Sequence, residues 1–274
     1  MLSGLGGAAK AAIFYVITLG LALVVALFSG TLGEASLIVT MLTPAVAVVI
    51  MLLAIAPEGG LRAALASVGI TRAGLRGWPF AILGSAAILL ASYVILWATG
   101  LASFAVPAIS RSVADVGLNM TVSLAVGLVL ALGEEVGWRG YMLPRLAVIG
   151  LVPAMLIVGF LHGVWHLPLM LTTPYYHSGG NMMIVVPLFL VTLTLAGVFY
   201  GYLRVWTGSV WPAAIAHAVY NFVWGVLTEF TVPTSPEVLE YIGGESGILV
   251  IAGLAVFALI IVPRARSLSV APAA

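Results

Sequence analysis

Cysteine is absent from the 274-residue sequence, which excludes disulfides, thiolate nucleophiles and cysteine-ligated metals. Charge is scarce as well. Lys and Arg number 10 and Asp and Glu 9, 7% of the chain, against roughly 25% in a soluble domain. The net charge of +1 gives no reason to expect nucleic acid as a partner. No polar block is long enough to fold by itself, so residues 1–274 read as a single membrane domain. Nor is there a repeat of the kind that marks inverted-repeat transporters.

What the sequence has in abundance is apolar length, at 63% hydrophobic residues. Windows of about 20 apolar residues mark membrane spans. They predict an all-α, polytopic protein with eight transmembrane helices, near residues 10–30, 35–56, 78–99, 121–145, 150–171, 183–205, 210–229 and 245–263. The first stretch, after Lys10, is longer than the apolar part of a signal peptide and has no small-x-small site behind it, so it reads as a retained span. With the N-terminus cytoplasmic, that side receives Lys10, Arg62, Arg72, Arg76, Arg145, Arg204, Arg264 and Arg266, and the other only Arg111. This bias places both termini inside. Leu61, Ala64, Leu65 and Val68, with nearby arginines, suit a short interfacial helix. Residues 265–274 read as a disordered tail.

An ionised side chain at the bilayer centre costs roughly 2.5–3.5 kcal/mol, so charges inside a span face the bundle interior and mark function. The fourth span carries Glu134, Glu135 and Arg139. Glu135 and Arg139 are four apart and can pair; Glu134 points about 100° away around the helix and is left for chemistry. The fifth span holds His162 and His166, the seventh His217 and Asn221, each pair one turn apart. Gly133 with Gly137, Gly159 with Gly163, Gly197 with Gly201, and Ala214 with Ala218 repeat small residues at the spacing that lets membrane helices approach closely. By helix rise, Glu134 lies about 16 Å from Arg145 and His217 about 10 Å from the start of its span, depths compatible with one mid-membrane cavity. His177, in the loop beyond the fifth span, reads as an ordinary loop residue.

Carboxylate, imidazole and carboxamide are the parts of a hydrolytic site that activates water. A buried glutamate suits a general base, an imidazole can pass the proton to a leaving amine, and N–H groups of His217 and Asn221 can stabilise an oxyanion. The same residues have a second use: zinc held by Glu134, His162, His166 and His217. HExxH is absent, however, and HxxxH alone is weak. A proton or ion pathway is a third use.

These residues resemble the CAAX-protease and bacteriocin-processing membrane proteins, the Abi-type family. Glu134, Glu135 and Arg139 match its EExxxR motif. His166, within Trp165-His166-Leu167-Pro168, matches the histidine of FxxxH, and His217 with Asn221 match HxxxN. The resemblance covers residues 121–225. One position departs: His162 stands where the family has an aromatic residue, which makes a metal-binding pair more credible. The resemblance implies an intramembrane endopeptidase acting on a membrane-associated protein or peptide. Glu134 and His166 would activate water, His217 and Asn221 would form the oxyanion hole, and Glu135 and Arg139 would support the site. The family is described both as metalloproteases and as metal-free glutamate proteases; the residues fill every role without a cofactor, so none is favoured and zinc is the alternative. The competing reading is a non-catalytic membrane protein that confers immunity or regulates a partner. All readings share the lipid bilayer as surroundings.

Overall fold

The computed structural model describes residues 4–55, 60–107, 112–174, 177 and 179–268. Arg111 and residues 269–274 of the expected tail lie outside the described residues. The long helices are α1 (Gly7–Leu27), α2 (Ala35–Ile55), α4 (Trp78–Ala98), α5 (Val113–Glu135), α6 (Leu151–Thr172), α7 (Met182–Thr207), α8 (Trp211–Glu229) and α9 (Ile248–Ala265), with the short α3 (Gly60–Ser67) between α2 and α4. All eight expected spans are therefore helical. By length and composition, seven stretches of the described residues are apolar enough to cross a membrane. Helix α8 is not among them. Its His217, Asn221 and Glu229 lower its hydropathy, and its first half, Pro212 to Ala218, is buried within the bundle.

Helix α5 does not run on unchanged to Arg145. After Glu135 the chain widens into one stretch of π-helix, Val136–Met142, all of it buried, before a final α turn at Leu143–Leu146. Such wide turns re-aim side chains and occur often at functional sites. Helices α6 and α7 meet through their glycines. A methyl group on Gly197 would sit 2.6 Å from the Met155 carbonyl oxygen and 2.7 Å from the Gly159 Cα, so only the bare backbone fits there. Gly137 is pressed likewise against Pro44 of α2, 2.6 Å from where its own Cβ would be. Ala214 and Ala218 are buried in α8.

Arg72, Arg76 and Arg204 gather at one end of the bundle. Arg76 donates to the Trp206 carbonyl and lies over that indole ring, Ser209 donates to the Arg72 carbonyl, and Gly69 abuts the Arg204 guanidinium. Helix α3 belongs to this end; Ala64 and Val68 are buried, whereas Leu61 is turned outward. At the opposite end the loops after α4 and α8 form a two-stranded antiparallel ribbon, β1 (Ala102–Phe104) and β2 (Thr231–Pro233), in which Ser103 faces Val232. Of the expected tail, residues 265–268 are described: Ala265 is buried and Leu268 packs against the core.

Candidate active site

Glu134 and Glu135 are the last α-helical residues before the π turn, and, about 100° apart around the helix, they reach different partners. Glu134, Glu135, Arg139 and His162 are all 0% exposed. Arg139 Nη1 donates to Glu135 Oε1 at 2.8 Å, the turn-apart pair that the spacing predicts. The same Nη1 lies 3.2 Å from His162 Nδ1, and His162 Nε2 lies 2.8 Å from Glu134 Oε2. Glu135 Oε1 also receives His217 Nδ1 at 3.0 Å. Five side chains from α5, the π turn, α6 and α8 thus form one buried chain: Glu134, His162, Arg139, Glu135, His217.

An arginine can only donate. Its contact therefore fixes His162 Nδ1 as the acceptor and Nε2–H as the donor to Glu134, so both ring nitrogens are committed. Trp138 stacks on the His162 ring at 5.0 Å and Trp165 flanks it at 5.8 Å. Trp165 is itself tied by its indole N–H to the Thr43 hydroxyl, 3.1 Å away.

Beside this chain lies a cavity of about 160 Å³, lined by Glu134, His166, His217 and Asn221, and also by Thr40, Tyr200, Tyr220, Trp224 and Glu245. The four residues expected to carry chemistry are therefore brought together, from three helices. His162 stands behind Glu134 and is not part of the wall. Among the described residues, Glu134 Oε1 is buried without a hydrogen-bond partner, while Oε2 is held by His162. Tyr200 stacks on His217 at 5.7 Å and lies under the Arg139 guanidinium at 5.1 Å.

The resemblance has Glu134 and His166 activate water together; both line the cavity, and the hydrogen-bond partner of Glu134 Oε2 is His162. Sequence reasoning overlooked Tyr200, Tyr220 and Glu245. Tyr220 adjoins Asn221, but nothing local marks Tyr200, which reaches the site only through helix packing. His177 is more than a loop residue. Its Nδ1 meets Glu240 Oε2 at 2.7 Å and its Nε2 meets Glu245 Oε2 at 3.3 Å, tying the α6–α7 loop to the segment before α9 at the cavity's far end. Burial acts to lower its pKa, but the two glutamates prevail and hold it up at about 9.

Ligand atoms of Glu134, His162 and His166 lie within 4.8 Å of one another, close enough to hold a metal ion. His217, the fourth residue of the zinc alternative, lies outside that group and is engaged by Glu135. Within the group the fit is poor. With Nδ1 facing Arg139, the Nε2 of His162 carries hydrogen rather than a free lone pair, and a divalent cation there would approach the guanidinium.

Residues 116–223 match a family model described as Rce1-like, type II CAAX prenyl endopeptidase Rce1-like. The similarity is to that stretch of the chain. No curated protein matches the chain. The matched residues hold every member of the buried chain and the four expected residues of the cavity wall. Tyr200 and Tyr220 also lie within the matched stretch, whereas Thr40, Trp224 and Glu245 reach the cavity from outside it. Its apolar helices make this a multi-pass membrane protein.

Proposed function

We propose that the protein is an intramembrane endopeptidase that cleaves a peptide bond of a membrane-associated substrate with a water activated by Glu134. The observation that carries this reading is the asymmetry of Glu134: one oxygen held, the other buried without a partner in a residue that lines the cavity. A water at Oε1 would lose a proton to that oxygen as its own oxygen forms a bond to the scissile carbonyl carbon. The carbonyl oxygen takes the negative charge beside His217 and Asn221. Collapse of the tetrahedral intermediate breaks the C–N bond, and the proton passes to the leaving amine through Glu134 or His166. Donors placed for an oxyanion are worth roughly 3–4 kcal/mol each in known sites. Since Glu135 engages His217 Nδ1, a proton on Nε2 would make that ring a donor toward the cavity, with Glu135 balancing the charge.

The name of the matched family supplies the first substrate to try, a prenylated CAAX peptide. In proteoliposomes of purified protein, Glu134→Gln is expected to lower cleavage of such a peptide by at least about 1,000-fold with the thermal melt retained. Full activity in a folded Glu134→Gln protein would sink the reading. Because His162 offers no free lone pair to a cation, cleavage is also expected to persist after dialysis against a chelator. Loss of activity that returns with stoichiometric zinc would make Glu134, His162 and His166 ligands and replace this scheme.

A further inference from the structure

His162 is 0% exposed, does not line the cavity and stands where the family pattern has an aromatic residue, yet it is the hydrogen-bond partner of Glu134 Oε2. A buried imidazole with both nitrogens engaged has a definite direction of donation, and Arg139 sets it here. The guanidinium donates to Nδ1, which leaves the hydrogen on Nε2 and aims it at the carboxylate. The Trp138 ring, stacked at 5.0 Å and 26°, fixes the imidazole plane. A carboxylate otherwise turns about its terminal torsion, which is broad and twofold; one oxygen anchored by an N–H leaves the other in a single place.

We propose that His162 is a positioning residue for the reaction: oriented by Arg139, it anchors Glu134 Oε2 so that Oε1 is presented to the cavity. This rests on the reading of Glu134 given above. It divides the two histidines of α6 by role. His166, in the cavity wall, faces substrate; His162, behind the carboxylate, acts only through it. Arg139 also donates to Glu135, which engages His217, so one cation is tied through single side chains to both Glu134 and His217.

The test measures cleavage of a fluorogenic peptide with a farnesylated CAAX terminus by the full chain in proteoliposomes, with a thermal melt of each variant. His162→Phe restores the aromatic ring of the family pattern but cannot donate; it is expected to lower kcat by about 100-fold with KM changed by less than about threefold. His162→Gln carries an amide that can accept from Arg139 and donate to Glu134, and is expected to recover at least about tenfold of that loss. In a Glu134→Gln background, His162→Phe is expected to add little, because the group it positions is gone. The proposal is overturned if folded His162→Phe keeps kcat within about threefold of the parent, if a folded His162→Gln is as slow as His162→Phe, or if His162→Phe costs the same factor in both backgrounds. Should His162→Phe fail to fold, the rate of His162→Gln decides: within about tenfold of the parent supports the proposal, and slower overturns it. A parent that cleaves no peptide, or a Glu134→Gln that cleaves at the parent rate, removes the underlying endopeptidase reading and the inference with it.

Discussion

Arg139 is fully buried among two carboxylates and two imidazoles, and its single Nη1 serves both Glu135 and His162. The net worth of such a buried pair is small, because desolvation opposes the attraction; removing one partner alone costs far more, about 3–5 kcal/mol. Arg139→Met is therefore expected to lower stability by that amount, read as a fall in the thermal melt of the detergent-purified protein. Adding Glu135→Gln should restore part of the loss, since it removes the stranded charge. Equal melts for the single and double variants would show that the charge of Glu135 is not what Arg139 satisfies. The pair was legible from four-residue spacing, because one turn of helix brings side chains together regardless of the fold. The partner of Glu134 was not. His162 lies 28 residues away on another helix, a relation that no spacing within one helix reports.

Between elements, the contacts that matter are the glycine crossings and the loop clamp. A Cβ on Gly197 meets backbone atoms of Met155 and Gly159 that cannot swing aside, whereas one on Gly127 meets nothing within 4 Å. Gly197→Val is expected to cost about 1–3 kcal/mol or more in thermal stability, with Gly127→Ala showing no loss. A neutral Gly197→Val would mean that α6 and α7 can separate freely. At the clamp, His177 has a folded pKa of about 9, above the roughly 6.5 of an unfolded chain. A group with a raised folded pKa contributes its full stabilisation below the unfolded value and loses it as pH rises through the folded value. Its contribution, on the order of 3 kcal/mol, is thus present at pH 6 and fades towards pH 10. The melting difference between the parent and His177→Gln should shrink over that range; a difference independent of pH would show that the ion pairs with Glu240 and Glu245 contribute nothing. The glycine spacing was visible in the sequence because close approach demands missing side chains. The clamp was not, since its acidic partners lie 63 and 68 residues further on and no local pattern links a loop histidine to them.

For the whole molecule, the absence of native cysteine makes topology directly measurable. Single cysteines at Arg62, in α3, and at Ser267, after α9, are expected to resist a membrane-impermeant maleimide in intact cells. One at Ser103, in β1, should react. Labelling of Arg62→Cys and Ser103→Cys from the same side would overturn the arrangement. Composition and apolar run length by themselves determined that this is a polytopic helical membrane protein, because the bilayer leaves the backbone no other way to satisfy its hydrogen bonds over such long runs. Spacing put His162 with His166 and His217 with Asn221 on shared helix faces, and the family resemblance named Glu134, His166, His217 and Asn221 as a set. Only the tertiary structure decided that the set surrounds one cavity, that His162 holds Glu134, and that Tyr200 and Glu245 join the wall. Those relations are distances between helices, set by glycine crossings and by a wide turn that no single stretch of sequence encodes.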